Sequence, residues 1–283
     1  MPAQPATTGR VQSGDVSVFY RRFGRPGGGA PIIIVHGLSY FSYDWADAAS
    51  QMANGREVVA IDMRGFGESD WSAARDYKLE TLSNDLVAVL DALGWDKAVL
   101  MGHSFGGRVA LATAGWKPER AAAVVLVDFA PDIAAPGRRY TAQRIGGQPD
   151  FFASVDEAMT YDHDDPQDAT RRARWEAFLK KTDKGYALKR DLSFRDNFKR
   201  ALETGQSTPV PAFLWPMIAD LKAPLLVLRG SESNMFEAAT LDKVRETNPR
   251  ARALEIAGSH DLAGDNPDGL AQTVNAFLAD NKL

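Results

Sequence analysis

The sequence has no cysteine, and that absence removes disulfides, thiolate catalysis and cysteine metal sites together. A reducing compartment is thereby allowed, and the cytoplasm is the expected location. No apolar run approaches the ~20 residues of a membrane span. The Pro/Ala/Thr-rich stretch Met1–Arg10 lacks an apolar h-region, so it reads as a loose tail rather than a signal peptide. An excess of positive charge is missing too. The 33 basic residues stand against 37 acidic ones, a net charge of −4 with no basic block, which speaks against a nucleic-acid partner. Repeats and low-complexity segments are absent, and histidine is scarce, with four in the chain. Apolar residues are plentiful at 45%, enough core for one large α/β domain, alone or with an insertion.

The richest stretch is Val99-Leu100-Met101-Gly102-His103-Ser104-Phe105-Gly106-Gly107. An apolar run, Ala98 to Met101, enters Gly-x-Ser-x-Gly, and a helical pattern, Phe105 to Trp116, leaves it. That context predicts a serine on a sharp strand-to-helix turn, its hydroxyl exposed at the carboxyl end of the strand. Gly102 and Gly106 are small because neighbouring backbone comes too close for a Cβ, and Gly107 lets the helix pack near the sheet. The Phe105 N–H, at the helix N-terminus, points towards any oxyanion formed there.

The rest of the chain alternates strand and helix signals. Val11–Val16 opens a hairpin whose second strand is Val16–Arg22, and Gly24–Gly29 is a Gly-rich loop without the Gly-Lys-Ser/Thr of a P-loop. Ile32–Val35 reads as a buried parallel strand ending in His36-Gly37-Leu38, where the N–H near Leu38 is a candidate second oxyanion donor. Val58–Ile61 runs into the charged turn Asp62–Ser69, read as structural, with Asp62 and Arg64 bonding local backbone. Leu79, Leu82, Leu86, Val89, Leu90 and Leu93 repeat at helical spacing, and Gly94 closes that helix. Val124–Val127 leads to Asp128-Phe129-Ala130-Pro131. From there to about Lys222 the strand rhythm stops, and charged, aromatic and helical segments suggest an inserted helical cap over residues 131–222, with core at 1–130 and 223–283. Most aromatics of that insert serve its own core, and some line what it covers. Leu225–Leu228 and Ala253–Ile256 resume the sheet, and Asn266 with Pro267 starts a last helix.

Such alternation predicts a mostly parallel doubly wound sheet whose reactive groups gather at the strands' carboxyl ends. Ser104, His260, Asp128, Glu232, Asn234 and the Leu38 N–H all fall at such ends. A serine needs a base to act as a nucleophile at neutral pH. His36 lies in the oxyanion turn, His103 adjoins the serine and His163 sits in the acidic run Asp162–Asp165, which leaves His260, after the last strand, as the base.

These residues resemble the α/β-hydrolase fold family over nearly the whole chain. The likeness rests on His36-Gly37, on Asp-x-Arg-Gly-x-Gly-x-Ser from Asp62 to Ser69, on Gly-His-Ser-x-Gly-Gly from Gly102 to Gly107, and on Gly-x-His from Gly258 to His260. It points to the branch with esterases, lactonases, carbon–carbon bond hydrolases, haloalkane dehalogenases and epoxide hydrolases. The last two carry an aspartate where this chain has Ser104, which argues against both. Members commonly place the triad acid after the strand matched by Leu225–Leu228, where this chain has Asn234. An amide cannot stabilise an imidazolium as a carboxylate does, and the matching change in a serine protease costs roughly 10⁴ in rate. Some members take the acid from the end of the strand matched by Val124–Val127, and Asp128 stands there. Asp128 is the favoured acid, with Glu232, Asn234 as an orienting amide, or a crippled triad as alternatives. The resemblance thus implies a serine hydrolase of a carboxylic ester or lactone, needing neither metal nor organic cofactor, on a small substrate with an apolar part. A carbon–carbon bond hydrolase, a cofactor-free perhydrolase and a non-catalytic ligand receptor on the same fold are the rivals.

Overall fold

Strands that are apolar on both faces need cover on both, and alternate residues here divide the interior into two cores. The computed structural model describes residues 6–205 and 209–283. Its strands are β1 (Thr7–Ser13), β2 (Val16–Gly24), β3 (Ile32–Val35), β4 (Glu57–Ile61), β5 (Ala98–His103), β6 (Ala121–Val127), β7 (Leu179–Thr182), β8 (Gly185–Leu188), β9 (Leu225–Gly230) and β10 (Arg252–Ile256). Its helices are α1 (Ala46–Met52), α2 (Leu79–Ala92), α3 (Phe105–Trp116), α4 (Ala135–Gly146), α5 (Val155–Tyr161), α6 (Ala169–Phe178), α7 (Leu192–Thr204), α8 (Leu214–Asp220), α9 (Ala238–Thr247), α10 (Leu262–Asp265) and α11 (Pro267–Asp280).

Eight strands form one sheet in the order β1-β2-β4-β3-β5-β6-β9-β10. It is parallel except at the β1–β2 hairpin and the β2–β4 pair. Ile33, Val35, Leu100, Val124, Leu126 and Val227 pack on one side with Leu86 of α2, Val109 of α3 and Ile218 of α8. Ile32, Ile34, Val99, Met101, Val125 and Leu228 pack on the other with Met52 of α1 and Leu270, Val274 and Phe277 of α11. The period-2 alternation of side chains produces that division. From β3 the chain goes to β4 on one side and later to β5 on the other, so strand order reverses between β3 and β5. Crevices at such reversals are where open α/β sheets bind ligands.

The sequence patterns and the elements agree along most of the core. The α3 helix spans Phe105–Trp116, Gly94 lies just past α2 at φ +71°, and the Asn266 side chain accepts the Gly269 N–H at 3.0 Å to cap α11. Two readings need correction. The supposed loose tail is paired from Thr7 onward, because backbone bonds of β1 to β2 (Thr7↔Arg22) require no apolar side chains; Met1–Pro5 lie outside the described residues. Between β6 and β9 the chain is not purely helical. Besides α4 to α8 it contains the antiparallel hairpin β7–β8, turned at Asp183-Lys184 with Gly185 at φ +123°. Gln206–Thr208, also assigned to the insert, lie outside the described residues. Phe152, Met159, Trp175 and Phe178 of this segment form a third core with Phe41. No helix among the described residues is long and apolar enough to cross a membrane.

Candidate active site

Ser104 sits between β5 and α3 at φ 52°, ψ −116°, a conformation that L residues rarely hold and that costs of order 1–3 kcal/mol. The close packing around it explains the glycines. A Cβ on Gly102 would lie 2.2 Å from the Gly106 carbonyl oxygen, and one on Gly106 would lie 2.2 Å from that of Val35. Gly107 faces the Phe129 ring, where a Cβ would come within 2.7 Å. With β5 held between β3 and β6, this turn delivers the serine at the strand-order reversal.

Three strands further along, His260 arrives after β10. Its Nδ1 lies 2.6 Å from Asp128 Oδ2. Asp128 directly follows β6 at φ 45°, is buried, and also accepts the Gly230 N–H at 2.8 Å on Oδ1 and the Ser233 hydroxyl at 2.6 Å on Oδ2. A carboxylate receiving three donors keeps its orientation, and it fixes the proton of His260 on Nδ1 so that Nε2 is left as an acceptor. Glu232 and Asn234 are exposed and make no hydrogen bond to His260 among the described residues. Of the candidate acids, the structure therefore brings Asp128 to the histidine. Ser233 went unnoticed in the sequence, since a serine in a polar loop carries no motif. Its Oγ also accepts the Met235 and Phe236 N–H groups at 3.1 Å, which orders the loop after β9 around the carboxylate.

The other side of the crevice is the turn after β3. His36 is fully buried; the Met63 N–H donates to Nε2 at 3.0 Å, so Nδ1 carries the proton and donates to the Gly37 carbonyl at 2.7 Å. Burial pushes its pKa down to about 4, which keeps the ring neutral and the turn braced. The N–H groups of Leu38 and Phe105 have no hydrogen-bond partner among the described residues. His103, held neutral chiefly by burial, donates from Nε2 to the His260 carbonyl at 2.8 Å. It ties the loop of the candidate base to the serine strand, a link the sequence does not advertise. The neighbouring Asp62–Ser69 turn is structural: Asp62 accepts the Ser42 and Glu68 N–H groups at 2.6 and 2.8 Å. Arg64, expected to bond local backbone, donates to the Asp76 carbonyl at 3.2 Å and also grips the Asp85 carboxylate with bonds of 2.6 and 2.7 Å, a stronger partner for a buried guanidinium.

The segment between β6 and β9 reaches over the same turn with arginines. Arg174 of α6 bonds Asp44 at 2.5 Å and the Ser39 carbonyl at 3.0 Å, and Arg190 after β8 bonds the Leu38 carbonyl at 3.2 Å. Backbone bonds Gly67 N–H to Lys189 at 2.7 Å and Asp191 N–H to Gly65 at 2.8 Å clasp the end of β8 to the core. Neither arginine carries a sequence signal, because each acts only through a distant turn.

Comparison with known proteins agrees with this fold. The family model described as alpha/beta hydrolase fold matches residues 30–218. A mouse protein named epoxide hydrolase 4 is 27% identical over 275 residues, covering 88% of this chain and 73% of that protein. The 2-(acetamidomethylene)succinate hydrolase of Mesorhizobium japonicum is 24% identical over 274 residues, 95% of this chain and 94% of its own length. A crystal structure of E-2-(acetamidomethylene)succinate hydrolase superposes with a TM-score of 0.81 at 22% identity, over 97% of this chain and 99% of that one.

Proposed function

From the premise that this chain belongs to the α/β-hydrolase fold family, we propose that it is a serine hydrolase cleaving a carboxylic ester or lactone through an acyl-enzyme. The observation that carries the reading is the 2.6 Å contact of His260 Nδ1 with a carboxylate, Asp128, that two further donors hold in place. In this mechanism Nε2 of His260 takes the proton of Ser104 as Oγ attacks the carbonyl carbon. The Leu38 and Phe105 N–H groups receive the tetrahedral oxyanion, and Asp128 stabilises the imidazolium. His260 then protonates the leaving alkoxide. Water, deprotonated by the same nitrogen, attacks the acyl carbon, and the acid leaves as Ser104 regains its proton.

Relatives of this chain are named for several hydrolytic reactions. Epoxide chemistry fits poorly, because its enzymes carry an aspartate where Ser104 stands. In the same reading residues 131–222 are the cap and residues 1–130 and 223–283 the catalytic core, supported by the reach of Arg174 and Arg190 to the oxyanion turn. Of the cap aromatics, Phe152, Trp175 and Phe178 are spent on the third core and Phe194 on the main one, and half-buried Leu38, Tyr40 and Phe105 stand ready to meet the apolar part of a substrate. The test is turnover of a panel of esters and lactones by the purified protein and by Ser104→Ala. Loss of turnover in a folded Ser104→Ala protein is expected; equal turnover by both refutes the mechanism, and no turnover by either favours a receptor.

A further inference from the structure

Arg190 is 4% exposed, yet it has no carboxylate partner among the described residues. One Nη donates to the Leu38 carbonyl at 3.2 Å and the other to Gln148 Oε1, both neutral acceptors. The fork's other three N–H donors have no partner among the described residues. Buried Arg64 and Arg229, by contrast, hold Asp85 at 2.6 Å and Glu255 at 2.5 Å. Arg190 lines a small cavity with Ser39, Arg144, Tyr161, Asp162 and Trp175. There Arg144 is already matched by Asp162, so the wall carries one positive charge in excess. Burial, and then the charge of Arg144, lower the Arg190 pKa to about 10, which still leaves it protonated at neutral pH. Burying an unmatched guanidinium is costly, and binding an anion there offsets that cost.

Resting on the hydrolase reading above, we propose that Arg190 receives a carboxylate of the substrate, so that the preferred ester or lactone carries a free carboxylate close to its scissile carbonyl. The spacing follows from Leu38. Its carbonyl is bonded to Arg190, and its N–H is the proposed oxyanion donor, so the two ends of the substrate meet the two sides of one residue. A guanidinium fork suits a carboxylate better than the amide and carbonyl it now holds.

The test uses matched pairs: monoethyl glutarate against ethyl pentanoate for a carboxylate on the acyl side, and carboxymethyl butanoate against propyl butanoate for one on the alcohol side. One charged member should exceed its neutral partner in kcat/KM by at least about tenfold in the native protein. That ratio should collapse towards one in Arg190→Gln and be partly kept in Arg190→Lys. If Arg190 only braced the Leu38 turn, both members of a pair would fall together and the ratio would stand. A native ratio at or below one for both pairs, or an unchanged ratio in Arg190→Gln, overturns the proposal. If no ester is cleaved, the hydrolase reading fails, and calorimetry with glutarate decides the arginine's role separately. Binding lost in Arg190→Gln then supports it, and equal or absent binding overturns it.

Discussion

Replacing Asp128 with asparagine changes one atom type and should cost several orders of magnitude in rate. Three donors converge on this carboxylate: the Gly230 N–H at 2.8 Å, the Ser233 hydroxyl at 2.6 Å and His260 Nδ1 at 2.6 Å. A carboxylate accepts all three, whereas an amide offers one oxygen and turns an NH₂ towards the remaining donors. If the NH₂ faces His260, Nδ1 must become the acceptor and Nε2 takes the proton, the tautomer that cannot deprotonate Ser104. If it faces Gly230, a buried N–H is left without an acceptor, at about 1–3 kcal/mol. Either way the negative charge opposite the imidazolium is gone. Ester turnover by Asp128→Asn should fall by about 10² to 10⁴ in kcat, with stability lowered by no more than about 3 kcal/mol. Steady-state kinetics on one activated ester, with urea unfolding in parallel, measure both. A kcat within about tenfold of the native value, or an equal loss in Glu232→Gln, refutes the assignment of Asp128.

Ser233→Ala removes one of the three donors but leaves the charge and the His260 bond, so kcat should fall by only about three- to tenfold, corresponding to about 1 kcal/mol; a loss as deep as that of Asp128→Asn would contradict this. Acid should destabilise the fold through His36. Its folded pKa of about 4 lies below the ordinary 6.5, so the unfolded chain takes up the proton first. Stability is full above pH 6.5 and is lost as pH falls towards 4, by about 3 kcal/mol from this group, with buried His103 acting in the same direction. Urea unfolding at pH 7.5 and pH 4 measures it, and equal stabilities would contradict the account.

Much of the core was legible because strong local signals coincide with the tertiary demand. Ile32–Val35 and Val124–Val127 are apolar on both faces, as central parallel strands must be, and the glycines at 102, 106 and 107 answer to backbone and ring contacts that a Cβ would violate. β1 was half hidden because an edge strand paired through its backbone needs no apolar pattern. The β7–β8 hairpin was hidden because Lys180, Lys181, Asp183 and Lys184 give it no alternation. At the site, Ser104 and His260 stood out by position, and Asp128 by the gap that Asn234 leaves. Ser233, the His103 link to the His260 carbonyl and the arginines over Leu38 join residues far apart in the chain, and no local pattern records such contacts.

In the proposed mechanism Ser104 is a nucleophile activated by His260 and Asp128. The most direct measurement is mass spectrometry of the protein after exposure to a fluorophosphonate, a reagent that captures an activated serine hydroxyl. One phosphonyl group per chain is expected, located on the peptide containing Ser104, at a rate that drops in His260→Ala and in Asp128→Asn. An unlabelled native protein, a label elsewhere, or labelling of Ser104 at the native rate in both variants would contradict it.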